Sequence, residues 1–286
     1  MKVSILLAAY KSGDLLQKVF IPGLNDNNDI QCELRLFDNG GNESYLNKSD
    51  VWPDEDNKIE KKHYNWEKYF LGDGINIGLN AALNNLAKEM KGEYFYLPHT
   101  DMRMMPGCLS ALLNAAKNQA PNSFLFCSRS IEKSSHIPMQ LLKDFGTNLE
   151  NYKEEHLLEF FKNYKDKGIV TGYRMPFFGH RKLLDKLTEY NIKNNICDGP
   201  FDDSFFSYAT DNDLFFNCYD MGVRKFWLVQ SSVVYHLSGH SNSQQKVDKD
   251  TNLPYTRLLE KWKKFNVTMN IDESEQKLIP WNLKIK

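Results

Sequence analysis

Short apolar segments alternate with amphipathic segments along most of this chain, and that alternation constrains the fold more than any other feature. Residues 3–9 are almost continuously apolar and predict a strand that is buried on both faces. Residues 32–37 and 94–97 predict two further strands, and residues 76–90 have the spacing of an amphipathic helix. The sequence therefore predicts an α/β fold, with a Rossmann-like, mostly parallel central sheet flanked by helices.

The second half of the chain continues this pattern less regularly. Region 138–167 is rich in Lys, Glu and aromatic residues and is predicted to be helical. Further strands are predicted at 124–127, 169–178, 226–229 and 232–235, and further helices at 109–116, 181–187, 214–221 and 255–265. We expect one domain over residues 1–245, with halves 1–107 and 108–245, and a helical C-terminal extension over 246–286.

Composition excludes several classes of protein. Hydrophobic residues make up 41% and charged residues 26% of the 286 residues, as in ordinary globular domains. The formal net charge of −1 argues against a broad cationic surface for duplex DNA, although it leaves a local basic groove open. Residues 3–9 are too few to span a bilayer, and no cleavage site follows them. Five scattered cysteines without a Cys-x-x-Cys pair predict free thiols in the cytoplasm.

The segment His99-Thr100-Asp101 is the strongest candidate for a functional site. It directly follows the apolar run at 94–97, and a Pro106-Gly107 break comes shortly after it. The end of a strand places side chains at the carboxyl edge of the sheet, where open α/β sheets bind ligands. Ligand side chains at positions i and i+2 on such a bend can face one metal ion. The alternative is an Asp101 carboxylate that bonds its own backbone in a turn.

Other motifs follow the same order as the predicted strands. Asp38-Asn-Gly-Gly41 ends the second strand, and Asn76-Ile-Gly78 is followed by Ala82 and Asn84. Farther along, Phe201-Asp-Asp-Ser-Phe-Phe206 precedes Thr210-Asp-Asn-Asp-Leu214, and His236 follows the last predicted strand.

Together these motifs resemble those of the inverting GT-A nucleotide-sugar glycosyltransferases, the large group similar to glycosyltransferase family 2. The family's Asp-x-Asp is similar to His99-Thr100-Asp101, its Asp-x-Gly-Ser to the segment 38–41, and its Glu-Asp-x-Asp-Leu to the segment 210–214. Three positions depart from the family pattern: Gly41 stands for Ser, His99 for Asp, and Thr210 for Glu. The resemblance runs from Val3 to about Ser241.

The resemblance implies a donor site that holds a nucleotide sugar and a metal ion. A divalent cation can offset the negative charge that the leaving diphosphate gains. Asp101 is implied as the principal ligand and His236 as the second, while His99 either binds metal or donates to a phosphate. Such ligands suit Mn²⁺ or Mg²⁺, and the histidines favour Mn²⁺. The implied contacts to the nucleotide sugar come from Ala8, Tyr10, Asp38, Asn76, Gly78, Asn84, His99 and Thr100.

On the acceptor side, the attacking hydroxyl must lose its proton to a general base. Asp211 is the expected base, with Asp213 as the second choice, and attack opposite the leaving group predicts inversion at the anomeric carbon. Asp38 is expected to accept a hydrogen bond from the ring N–H of uracil, since an ionised carboxylate only accepts. The expected acceptor is a hydroxyl group of a glycan or glycoconjugate.

Alternatives remain open at the level of sequence. One is a glycosyltransferase acting on modified DNA bases, which would need a basic channel lined with aromatic residues. Another is a non-catalytic nucleotide-sugar-binding module, favoured by the altered motif positions. A sugar-phosphate nucleotidylyltransferase would need a glycine-rich phosphate loop after the first strand, which is missing from the sequence. Asn76 and Asn84 could instead cap a helix, and Phe201, Phe205 and Phe206 are predicted to belong to the core.

Overall fold

The computed structural model of the chain describes residues 2–40, 66–133, 140–237 and 253–265, and the backbone of 268–272 and 277–284. Its large sheet begins with four parallel strands. β1 (Val3–Ala9) lies between β2 (Cys32–Asp38) and β4 (Tyr94–Leu97), and β3 (Trp66–Leu71) extends the sheet beyond β2. Gly41 of the second motif lies outside the described residues.

The second half of the chain adds strands of both directions to this sheet. They are β5 (Met102–Met104), β6 (Phe124–Glu132), β7 (Leu141–Leu142), β8 (Ile169–Thr171), β9 (Phe177–His180) and β10 (Lys225–His236). The strand order is β3-β2-β1-β4-β9-β6-β10-β5, where β9 is antiparallel to both neighbours, β6 and β10 are parallel, and β5 is antiparallel to β10. The predicted α/β class with a mostly parallel central sheet is confirmed.

Helices cover both faces of the sheet. They are α1 (Gly13–Leu15), which continues through a π turn (Leu16–Phe20) into α2 (Ile21–Asn25), α3 (Leu79–Glu89), α4 (Cys108–Ala116), α5 (Glu154–Lys162), α6 (Arg181–Lys193), α7 (Thr210–Asp220) and α8 (Leu253–Lys261). Leu6 of β1 packs in one core with α3, α6, α7 and α8, whereas Ile5 and Leu7 pack in another with α2 and α4. Successive strand residues point to opposite faces, so β1 contributes to both cores.

Two predicted elements in the second half are wrong in detail. The strand predicted at 169–178 is interrupted: β8 pairs with β10, while β9 lies between β4 and β6. Pro176, which has no N–H to donate to a ladder, lies just before β9. Within the helix predicted at 138–167, the described residues contain only α5 as helix, and β7 stands near the beginning. Residues 134–139 lie outside the described residues.

The strands predicted at 226–229 and 232–235 form a single strand, β10, with a register shift between Val229 and Val233. The short strand β5 was not predicted, because three residues are too few to show a period. Its pairing with the end of β10 matters for the site, since it aligns Met102 with His236.

The C-terminal extension contains the predicted helix as α8 and a 3₁₀ turn at Lys263–Phe265. Beyond it, β11 (Thr268–Asp272) and β12 (Lys277–Lys284) form a two-stranded antiparallel ladder that was not predicted. Residues 246–252 of the predicted extension lie outside the described residues. Within the described part of the chain, none of the helices combines the length and the apolar character that crossing a membrane requires.

Candidate active site

The carboxyl ends of the first parallel strands open onto a cleft. The ends of β1, β2 and β4 lie side by side because β1 pairs in parallel with both neighbours. The lining comes from these strand ends, the start of α3 and the loop before α7, and consists of Ala8, Tyr10, Ser12, Asn39, Asn76, Leu79, His99, Thr100, Phe206 and Ser207. Five predicted donor-binding residues are among them: Ala8, Tyr10, Asn76, His99 and Thr100.

His99 and Asp101 lie at the bend that follows β4. The amide of Met102 donates to the carbonyl of His99 at 3.2 Å, and this turn directs the chain into β5. β5 then pairs with the end of β10, and the amide of Leu237 donates to the carbonyl of Asp101 at 3.0 Å. Backbone pairing therefore brings His236 beside Asp101, although the two residues are far apart in sequence.

The side chains of His99, Asp101 and His236 converge. One ligand atom from each lies within 4.8 Å of the other two. The His236 Nε2 atom is 3.4 Å from Asp101 Oδ1, and the ring centres of His99 and His236 are 6.1 Å apart. Of these three residues His99 lines the cleft, so the cluster adjoins the cleft through His99.

The two histidines of the cluster have opposite pKa shifts. Burial lowers the pKa of His99 to about 4, so its imidazole is neutral at pH 7 and retains a lone pair. Burial alone would lower the pKa of His236 too, but the carboxylates of Asp101 and Glu132 outweigh burial and raise that pKa to about 9. Without a metal, His236 is thus an imidazolium held between two carboxylates.

This donor set fits a divalent cation. Mn²⁺ accepts two imidazoles and one carboxylate as ligands. This set suits Ca²⁺ less well, because Ca²⁺ prefers oxygen ligands. With a pKa raised to about 9, His236 carries a proton on Nε2 at pH 7, and Nε2 is the ring atom that faces Asp101. A cation could replace that proton, since metal binding to histidine displaces protons.

Asp211 and Asp213 lie in the first turn of α7, where the helix dipole favours carboxylates. Asp213 is only 2% exposed, and the C-terminal extension holds it. Its Oδ1 accepts a hydrogen bond from Trp262 Nε1 at 2.7 Å, and Lys261 Nζ lies 2.8 Å from the same oxygen. Asn217 binds the other oxygen at 2.9 Å. Both carboxylate oxygens of Asp213 are thus bound by groups of the protein itself.

Asp211 has a different environment. It is partly exposed, and the amide of Asn212 donates to its Oδ1 at 2.9 Å. Burial raises the pKa of Asp211, and the positive charge of Arg174 offsets part of this rise. A carboxylate with a raised pKa is a stronger base than an ordinary aspartate.

Arg174 connects Asp211 with the histidine cluster. Its Nη2 atom is 3.1 Å from Glu132 Oε1, next to His236. Its positive charge also lowers the pKa of His99 and that of Asp211. The histidine cluster and Asp211 thus both respond to the charge of Arg174.

Three predicted donor-binding residues do not line the cleft. Asp38 Oδ1 accepts from the amide of Gly40 at 3.0 Å, and its neighbour Asn39 provides the lining at this position. Gly78 has a φ of 89°, and a Cβ there would lie 2.8 Å from the ring of Phe206. Glycine is thus needed at position 78 for the close approach of Phe206.

Asn84 is the third of these residues, and its amide faces the protein interior. Its Nδ2 donates to the carbonyl of Phe201 at 2.8 Å, and its Oδ1 accepts from the amide of Phe201 at 2.9 Å. Asn84 is 5% exposed and fixes the segment before α7 against α3. Both bonds tie the Asn84 side chain to Phe201, and its predicted contact with the donor stays a prediction.

Sequence reasoning also missed several residues. Phe206 was predicted to be core, but it is 40% exposed and lines the cleft, whereas Phe201 and Phe205 are buried as predicted. Glu132 was missed because the strand was predicted to end at 127. The residues that lead to it, Ser128-Arg-Ser-Ile131, are mostly polar, so no apolar run marked the longer strand. Nothing in the sequence singles out Arg174.

Neither a family model nor a curated protein matches this sequence, but solved structures match its fold. TarS residues 1–349 from S. aureus has a TM-score of 0.53 at 14% identity, covering 82% of this chain and 60% of that chain. The same TarS fragment with UDP-GlcNAc has a TM-score of 0.53 at 12% identity, with coverages of 91% and 67%. GalNAc-T7 with UDP, GalNAc and Mn²⁺ has a TM-score of 0.63 at 13% identity, with coverages of 98% and 52%.

The fold is that of the GT-A glycosyltransferases. This chain spans about half the length of the GalNAc-T7 chain and three fifths of the TarS fragment that it matches. At these identities the similarity is one of fold.

Proposed function

We propose that this chain is a metal-dependent, inverting glycosyltransferase. It moves a sugar from a nucleotide diphosphate sugar, with UDP-sugars favoured, to a hydroxyl group of a glycan or glycoconjugate. The observation that carries the proposal is the convergence of His99, Asp101 and His236 beside the cleft that His99 lines. The fold adds support, since similar structures hold UDP-GlcNAc in TarS and UDP with Mn²⁺ in GalNAc-T7.

On the donor side, Asp101, His236 and His99 would hold Mn²⁺ or Mg²⁺. The cation would supply Lewis-acid stabilisation of the charge on the leaving diphosphate. Four residues that line the cleft contact the nucleotide: Ala8, Tyr10, Asn76 and Thr100. Asp38 accepts a hydrogen bond from the N–H of the base. Gly78 and Asn84 act indirectly, by shaping the segments that carry Phe206 and its neighbours.

On the acceptor side, Asp211 is the general base. Its carboxylate takes the proton of the acceptor hydroxyl while the hydroxyl oxygen bonds to the anomeric carbon. The bond from that carbon to the diphosphate oxygen breaks, and the electron pair leaves with the diphosphate. A single displacement of this kind inverts the anomeric configuration. Asp213 is not proposed as a base, because Lys261 and Trp262 already hold its oxygens.

Thermal stabilisation by a panel of nucleotide sugars, with and without Mn²⁺, tests the donor site. We expect a UDP-sugar and Mn²⁺ together to raise the melting temperature more than either alone. A ligand that binds only the folded protein stabilises it more, the more tightly it binds. Asp101→Ala should remove the part of the shift that depends on Mn²⁺. The absence of any shift with every nucleotide sugar would reject the proposal.

Turnover of the stabilising nucleotide sugar tests the reaction itself. Release of UDP should require Mn²⁺, and proton NMR of the first-formed product should show the inverted anomer. Binding without turnover would support the non-catalytic module instead. Retention of configuration would exclude a single displacement with Asp211 as base.

A further inference from the structure

Glu132 is a buried carboxylate that the proposed reaction does not use. It ends β6 and is 2% exposed. Its Oε1 atom lies 2.8 Å from Nδ1 of His236. The same oxygen lies 3.0 Å from Gln140 Nε2 and 3.1 Å from Arg174 Nη2, so three groups from separate parts of the chain converge on it.

The contact with Glu132 decides how the ring of His236 is oriented. Because a carboxylate only accepts, Nδ1 is assigned the hydrogen in the contact with Glu132, and the other ring nitrogen, Nε2, lies 3.4 Å from Asp101 Oδ1. The backbone of His236 is fixed independently by its pairing with Met102. What backbone pairing leaves undetermined is rotation of the side chain, and the bond to Glu132 restricts that rotation.

We propose that Glu132 is a positioning residue that orients His236 as a ligand of a divalent cation. Histidine ligands in metal sites commonly donate their second ring N–H to a carboxylate, which fixes the tautomer and makes the ring a better ligand. This inference rests on the proposed function, because it presupposes that His99, Asp101 and His236 hold a cation. It adds a role for Glu132, which is proposed to contact neither the cation nor the substrates.

A simpler alternative is that Glu132 only neutralises Arg174. In that case Glu132 would matter through its charge, and the direction of its carboxylate toward His236 would be unimportant. Two substitutions separate these cases. Glu132→Gln keeps the length and removes the charge, while Glu132→Asp keeps the charge and withdraws the carboxylate from the ring.

The experiment is a titration of the full chain with Mn²⁺ alone. Calorimetry and the EPR signal of free Mn²⁺ monitor the binding. We expect both variants to bind Mn²⁺ about 10–100-fold more weakly than the wild type, the usual loss on removing the partner of a metal ligand. Gln140→Leu is the matched control, because it removes a different contact to the same Oε1 atom. It should bind Mn²⁺ like the wild type.

The remaining outcomes are distinct. Wild-type affinity in Glu132→Asp would overturn the positioning role and leave only a charge effect. Wild-type affinity in both variants, with binding lost in Asp101→Ala, would overturn this inference and leave the metal site standing. If Asp101→Ala binds Mn²⁺ as the wild type does, both the metal site and this inference fail. Urea unfolding of each variant establishes that a folded protein is compared, and Glu132→Asp alone decides the matter if Glu132→Gln is unfolded.

Discussion

The two edges of the same parallel sheet carry clusters of similar residue types that do different things. At the amino edge, Glu33 is fully buried and is bound by Ser4 Oγ at 2.5 Å and by Arg35 Nε at 2.8 Å. The amide of Lys91 adds a third contact at 2.7 Å. At the carboxyl edge, Asp101 is equally buried, and His236, with its pKa raised to about 9, lies beside it.

The two clusters differ in whether the positively charged side chain can lose its proton and be replaced by a metal ion. A guanidinium group is not deprotonated in proteins, so the pair between Arg35 and Glu33 is permanent. His236 can release its Nε2 proton, and the charge beside Asp101 can then be supplied by a metal ion. Burial, carboxylates and hydrogen bonds are common to both edges. A histidine in place of an arginine is what makes the carboxyl edge a candidate binding site.

Replacing the carboxylate at the carboxyl edge should have the largest effect on activity. Asp101→Ala removes the principal proposed ligand, and the transfer rate should fall by more than the roughly 100-fold upper range seen for outer partners of a ligand. Initial rates at several Mn²⁺ concentrations measure this loss. Near-normal activity would show that the two edges are alike and that Asp101 is structural.

Asp211→Asn should lower the transfer rate by roughly 10²–10⁴-fold, the usual contribution of a general base. Calorimetry should show an unchanged dissociation constant for the UDP-sugar, because Asp211 is proposed to act on the acceptor. A loss of UDP affinity would instead place Asp211 on the donor side.

The pH dependence of kcat sharpens this assignment. Asp211 accepts a proton only when ionised, so kcat should fall as the pH drops through its pKa. Burial raises that pKa, and the acid limb should lie above that of an ordinary aspartate. Arg174→Met should move the limb to still higher pH, because the arginine charge lowers the pKa. If the acid limb does not move, the charge of Arg174 does not affect the pKa of the catalytic base.

At the amino edge, Glu33→Gln should affect stability and leave kcat unchanged. Removing one partner of a buried ion pair costs about 3–5 kcal/mol of unfolding free energy. Arg35 holds the pKa of Glu33 at about 2, against the desolvation that would raise it from 4.5. The stabilisation is therefore present above pH 4.5 and is lost as the pH falls through about 2. Urea unfolding of both proteins across this range should show their difference shrinking.

The smallest expected effect concerns the nucleotide base. Asp38→Ala should raise the dissociation constant of the donor about tenfold, the value of one hydrogen bond to a charged group, with little change in kcat. Asn39→Ala is the matched comparison, since Asn39 lines the cleft and its Oδ1 accepts from the amide of Ile77 at 2.9 Å. If only the Asn39 variant weakens binding, Asn39 rather than Asp38 contacts the donor.

Much of the fold could be predicted because it depends on local patterns. The apolar run at 3–9 needs burial on both faces, and only a central strand provides that. The end of β4 is marked by the change from apolar residues to His99 and Asp101, so their place at the carboxyl edge followed from topology. The broken strand at 169–178 and the three-residue β5 were not predictable, since their ends depend on partners in β10.

The sequence by itself determined which residue types stand at the strand ends and the helix start, including His99, Asp101 and Asp211. Tertiary structure decided which of them face the cleft. Asp211 and Asp213 share one helical turn, yet Lys261 and Trp262 hold only Asp213. Asn84 binds Phe201, and Glu132 lies against His236. A carboxylate or an amide has the same chemistry in every sequence, and only the groups that distant segments bring within about 3 Å decide what it binds.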